Sequence, residues 1–154
     1  MCAIVDADRA GLFFADNIDQ EFVPLWDWIN RGSGTLVVGG KLKRELFNMQ
    51  RARDSIQVWE QAGRAAILPD DEVEAEARKV LDQCRSNDSH VIALARLSGA
   101  RILLSGDKTL WDDFRDGGLL RPTGKVYRST THRSMLRHHQ GCRFRRTTRR
   151  KRGR

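Results

Sequence analysis

The sequence predicts an α/β domain of three layers, α/β/α, around a mostly parallel central sheet. Two observations carry this. Short apolar runs recur at Ala3-Ile4-Val5, Thr35-Leu36-Val37-Val38 and Ile102-Leu103-Leu104. Runs that are apolar throughout suit strands buried on both faces, as parallel strands are. Between them lie stretches with apolar residues at helical spacing, so strands and helices alternate in the order of a doubly wound sheet.

Taken in order, Ile4-Val5 ends in Asp6-Ala7-Asp8, which reads as a turn. From Ile18 to Ile29, the residues Phe22, Leu25, Trp26 and Ile29 share a helical face, and Gly32-Ser33-Gly34 punctuates it. Gly39-Gly40 stops the second strand. Helices follow over Lys41–Met49, with Leu42 and Leu46 inside, and over Ser55–Gly63, with Ile56 and Trp59. Ala65-Ala66-Ile67-Leu68 is a short strand or extended linker, closed by Pro69. Asp70 to Cys84 predicts a helix whose acidic first turn suits its dipole; Val73, Ala77, Val80, Leu81 and Cys84 form its inner stripe. Asn87 or Asp88 caps the next helix, which Gly99 ends. Lys108 to Phe114 is helical, and Arg121 to Tyr127 is a candidate edge strand. The four tryptophans, Trp26, Trp28, Trp59 and Trp111, read mainly as core or groove walls. The reading therefore sets a folded domain over 1–128 and a tail, disordered or ordered by a partner, over 129–154.

Charge divides the chain the same way. Met1 to Leu120 holds 15 basic and 20 acidic residues, whereas Arg121 to Arg154 holds 13 basic and none acidic. An acidic body with a basic end is not a uniformly basic histone-like protein; it points to a polyanion contacted from one end. Arg143, Arg145, Arg146, Arg149, Arg150, Lys151 and Arg152 are the candidate contacts to nucleic-acid phosphates. Cys2, Cys84 and Cys142 are too few and too scattered for a disulfide framework or a four-cysteine zinc site. No apolar stretch approaches the ~18 residues of a membrane span, and the first residues lack a basic leader pattern. A reducing cytoplasm is the expected setting.

The chemistry-bearing residues are acids at strand ends, where open α/β sheets collect ligands. Asp6 follows Ile4-Val5. Asp107 follows Leu103-Leu104 by Ser105 and Gly106. Asp88 opens the helix before that last strand, and Glu45 lies on the first helix after Val38. Four carboxylates at one rim repel strongly unless a cation sits among them. A hard divalent ion, Mg²⁺ or Mn²⁺, suits such an oxygen cluster and would neutralise a phosphate.

The order Asp6, Glu45, Asp88, Asp107 resembles the acidic quartet of PIN-domain nucleases, metal-dependent enzymes that mostly cut RNA. The matching pieces are Ile4-Val5-Asp6-Ala7-Asp8, Asp88-Ser89-His90-Val91-Ile92-Ala93-Leu94-Ala95 and Leu103-Leu104-Ser105-Gly106-Asp107-Lys108, with Gly124-Lys125-Val126-Tyr127 as in one bacterial branch. The resemblance implies that Asp6, Asp88 and Asp107 are metal ligands. It also implies that Glu45 holds a second metal or orients the attacking water, and that Ser105 hydrogen-bonds near the first carboxylate. Asp8 stands where the family usually has Asn, Ser or Thr, so its role stays open between tuning the metal and facing away. Asp113 matches the family's Asp-Phe pair and is a fifth candidate. The implied activity is an endoribonuclease leaving a 5′-phosphate and a 3′-hydroxyl. Many family members are toxins, so an antitoxin protein joins RNA as a candidate partner; a homodimer is also carried.

Structural alternatives stand beside these assignments. Asp88 is also a good helix cap, and Glu45 could simply pair with Lys41 four residues earlier. His90 reads as a packing or hydrogen-bonding residue rather than a base. Gly39-Gly40-Lys41 is not a phosphate loop, because Leu42 follows the lysine. His138, His139 and Cys142 do not make a tetrahedral zinc set. The rival functions are a non-catalytic nucleic-acid-binding module and a metal-dependent DNA nuclease.

Overall fold

Five short strands make one sheet: β1 (Cys2–Val5), β2 (Thr35–Gly39), β3 (Ala65–Leu68), β4 (Ile102–Leu104) and β5 (Lys125–Val126). The computed structural model describes residues 1–137. The order across the sheet is β3-β2-β1-β4-β5, and every neighbouring pair is parallel. All residues of β1, β2 and β4 are buried, as their unbroken apolar runs require. Helices flank the sheet, completing the three layers.

From β1 the chain steps outward to β2 and β3, then returns to β4 on the other side of β1. The connections after β1 and β4 therefore diverge, and a crevice opens beyond their carboxyl ends. This topological switch point is where doubly wound sheets bind ligands. It is also where the sequence puts Asp6 and Asp107.

The helices are α1 (Ala7–Phe13), α2 (Val23–Asn30), α3 (Gly40–Phe47), α4 (Gln50–Gln61), α5 (Asp70–Val80), α6 (Ser89–Ser98) and α7 (Lys108–Phe114). α5 packs on α6, and α3 packs on both. α3 starts directly at the end of β2 because Gly40 adopts φ +55°, and a methyl group there would strike Val73 of α5.

Several boundaries differ from the sequence reading. Asp6-Ala7-Asp8 is not a turn: Asp6 caps α1, which buries Ala10 and Phe13. The helix expected from Ile18 instead begins at Val23, after a 3₁₀ turn over Gln20–Phe22, with Pro24 in its first turn. α4 starts earlier, at Gln50, within a polar stretch that hides its onset. α5 ends at Val80, a 3₁₀ turn follows, and Leu81 faces solvent rather than the inner stripe.

The folded body also continues past 128. Thr130–Arg137 form a 3₁₀ helix against α2, burying Leu136 and resting Met135 on the core. The Glu21 carboxylate accepts the Thr130 amide at 3.0 Å, and the Tyr127 hydroxyl donates to the Glu21 carbonyl at 2.7 Å. Two adjacent apolar residues anchor this segment, too few to produce a period. Among the described residues, Cys84 is a free thiol. Among the described residues no helix is long and apolar enough to cross a membrane.

Candidate functional site

The ends of β1 and β4 are tied together before any acid acts. The Asp6 amide donates to the Leu104 carbonyl at 2.8 Å. The Asp6 carboxylate then accepts from the Ala7 amide at 2.8 Å and from the Ser105 hydroxyl at 2.9 Å. The same hydroxyl accepts from the Asp107 amide at 3.0 Å, so Ser105 links the two acids. Trp111 of α7 steadies this link by donating its indole N–H to the Ser105 carbonyl at 2.7 Å. Asp107 caps α7 through Oδ1, which accepts from the amides of Thr109 and Leu110 at 2.9 and 3.3 Å. Asp8, on the exposed side, accepts from the Gly106 amide at 2.9 Å.

α3 and α6 add the other half. Asp88 stands at the start of α6, yet its carboxylate makes no capping bond. It lies instead within reach of the Asp107 and Glu45 charges. The Asp88 amide donates to Ser86 Oγ at 3.2 Å. Glu45 Oε1 lies 3.9 Å from His90 Nε2, and Asp88 Oδ1 lies 4.0 Å from it. Among the described residues Glu45 faces His90 in this way and forms no ion pair with Lys41. Asp88 thus makes no capping bond, and Glu45, half-exposed, makes no ion pair with Lys41 among the described residues, whereas Asp6 and Asp107 do serve as caps.

The electrostatics follow from this crowding. Asp6 is only 6% exposed. Burial pushes its carboxyl up to about 6; the charges of Asp8 and Asp88 push the same way, while Ser105 and the Ala7 amide oppose. Asp88 is raised by burial and then by Asp107 and Glu45. His90 is lowered to about 4, by burial first and then by Lys41 and Arg44. Raised carboxyls beside one another mark a site short of positive charge.

Asp6, Asp88 and Asp107 offer oxygen donors only, which fits a hard divalent cation. Their side chains form a chain of neighbours rather than a closed cage. Among the described residues, no three His, Cys, Asp or Glu side chains converge tightly enough to hold an ion as they stand. An ion entering there would have to draw the carboxylates inward, and its charge would offset the burial and the mutual repulsion that now raise them.

Asp113 does not belong to the rim. It is fully buried, and its carboxylate accepts from the Arg85 amide, the Ser86 amide and the Ser86 hydroxyl at 2.9, 2.9 and 2.7 Å. It thereby holds the loop that presents Asp88. Three cationic or imidazole groups at the rim escape a reading of the sequence. The Arg9 guanidinium lies over Gly106, where a methyl group would collide with it. Lys41 acts on Asp88 and His90, and the His90 Nε2 is buried without a hydrogen-bond partner. Only position on α1, α3 and α6 distinguishes them, so no local pattern signals them. The tail residues Arg143, Arg145, Arg146, Arg149, Arg150, Lys151 and Arg152 lie outside the described residues.

Compared with protein-family models, curated proteins and solved structures, the chain matches none.

Proposed function

We propose that this chain is a Mg²⁺- or Mn²⁺-dependent endoribonuclease of PIN-like design, acting in the cytoplasm and, as a finer reading, as the toxin of a toxin–antitoxin pair. One observation carries the nuclease reading: Asp6, Asp88 and Asp107 gather at the β1/β4 switch point with two of the three carboxyls raised. Structural caps and surface pairs do not need that arrangement. Asp6, Asp88 and Asp107 would hold the ion. The ion, when bound, neutralises a phosphate and lowers the pKa of water. Glu45 Oε would orient the attacking water and take its proton. Arg9 and Lys41, one on each side of the acids, would fix the phosphates flanking the cut. The basic tail would raise the encounter rate with RNA. The products expected are a 5′-phosphate and a 3′-hydroxyl.

The second reading, a non-catalytic nucleic-acid-binding module, is favoured by the lack of three converged ligands among the described residues. Parallel digests of structured RNA and single-stranded DNA, with Mn²⁺ and with a chelator, separate the readings. RNA cut only with the ion supports the proposal. DNA cut in preference to RNA replaces it with a DNA nuclease, and binding without cleavage of either replaces it with the module.

A further inference from the structure

We propose that Trp111 and Arg128 form a stacking position for one base of a single-stranded RNA, beside the acids at the ends of β1 and β4. This deepens the nuclease reading, on which it rests, by placing a nucleotide next to the cut.

The register of the sheet brings the two residues there. β4 and β5 pair Ile102 with Lys125 and Leu103 with Val126, and the Tyr127 amide donates to the Leu103 carbonyl at 2.8 Å. Two residues further on, the same register sets Arg128 alongside Ser105. β1 and β4 pair Val5 with Leu104, so Asp6 flanks Ser105 on its other side. With parallel strands about 4.8 Å apart, the backbones of Asp6 and Arg128 are about 10 Å from each other. A neighbouring nucleotide reaches across that distance. Trp111 joins from α7, its indole N–H bound to the Ser105 carbonyl at 2.7 Å, while the Ser105 hydroxyl bonds Asp6 at 2.9 Å.

The Arg128 guanidinium carbon lies over the Trp111 ring, 5.3 Å from its centre. Arg128 is exposed and forms no ion pair among the described residues. Its backbone, by contrast, is fixed on both sides. The Arg128 amide donates to His132 Nδ1 at 3.1 Å. The Tyr127 hydroxyl holds the Glu21 carbonyl at 2.7 Å, and the Thr130 amide holds the Glu21 carboxylate at 3.0 Å. A guanidinium over an indole adds little to stability at the surface. It does offer a plane on which an unpaired base stacks, with N–H edges that suit a phosphate. A base on its outer side extends the row from indole to guanidinium to base. Because the segment is already ordered, little further ordering is needed when the base arrives.

The test compares binding of a short single-stranded RNA with that of a fully abasic strand of the same length. The full chain is used in chelator, so that no cleavage intervenes. Wild type should prefer the strand that carries bases, and Arg128→Ala should lower that preference by about fivefold or more. Arg128→Lys keeps the charge but not the plane, so it should recover binding of the abasic strand without recovering the preference. Trp111→Leu removes the ring behind the guanidinium and should lower the preference in the same way; Arg128, being exposed, decides the matter if that variant misfolds. An unchanged preference in Arg128→Ala, or a full one in Arg128→Lys, would overturn the proposal. If the wild-type chain also cut RNA in Mn²⁺, the nuclease reading would stand without it. A preference that falls as expected, in a chain that cuts no RNA, would remove the nuclease reading and leave this position standing.

Discussion

Asp6 shows how one residue can serve two ends at odds with each other. It caps α1 and bonds Ser105, yet its buried carboxyl is held up at about 6 against a usual 3.8. Between those values the folded protein keeps a proton that the unfolded chain has released. This carboxyl's contribution to stability without metal is therefore greatest below about pH 4 and is lost as pH rises through 6. A shift of that size corresponds to roughly 3 kcal/mol at pH 7. Asp6→Asn removes the charge but weakens two hydrogen bonds, so a net gain of about 1–2 kcal/mol is expected at pH 7. Thermal melts in chelator should show Asp6→Asn melting above wild type at pH 7, with the gap closing at pH 4. Mn²⁺ should raise the wild-type midpoint and leave that of Asp6→Asn nearly unmoved.

At the scale of elements, α7 does more than follow β4. Its first cap, Asp107, sits on the rim, and Asp113 near its other end grips the loop before α6. Asp88 is thus placed through Asp113 and Ser86. Asp113→Ala would strand two buried amides and a hydroxyl, at a cost of about 3–5 kcal/mol. Chemical denaturation should show that loss, whereas Asp112→Ala, on the exposed side of the same helix, should cost under about 0.5 kcal/mol. The strands and most helices are legible in the sequence because their apolar runs and stripes are long enough to have a period. α1 is not, since two buried positions in seven residues make no stripe. Asp113 is legible as a notable acid but not as a buried anchor, because azimuth on one short helix does not say what lies across from it. His90 escapes for the same reason: its solitude depends on α3, which is distant in sequence.

For the whole molecule, the packed body reaches past 128, through Thr130–Arg137. Truncation after Tyr127 removes Leu136 from the core and the Thr130–Glu21 bonds, and should cost about 2–3 kcal/mol. Truncation after Arg137 should leave turnover on a short oligonucleotide unchanged, because the rim acids all lie within the described residues. It removes eight basic residues, so it should flatten the salt dependence of binding to long RNA. Each phosphate that the protein ceases to neutralise lowers the log–log slope by about 0.7, so four of them lower it by roughly three. Equal slopes for the full and shortened chains would reassign the tail to a protein partner.

An ion-dependent cleavage centre at the β1/β4 switch point stands or falls with Asp88→Asn. Unlike Asp6 and Asp107, the Asp88 carboxylate caps no helix, so loss of function in this variant cannot be blamed on a loosened helix end. The quantity to measure is the rate of cleavage of a structured RNA in Mn²⁺, beside a thermal melt of the same preparation. The expected outcome is a normal or raised melting midpoint with cleavage reduced by at least about a hundredfold. A well-folded Asp88→Asn that cuts RNA at the wild-type rate would show that the acids at this rim do not hold a catalytic ion.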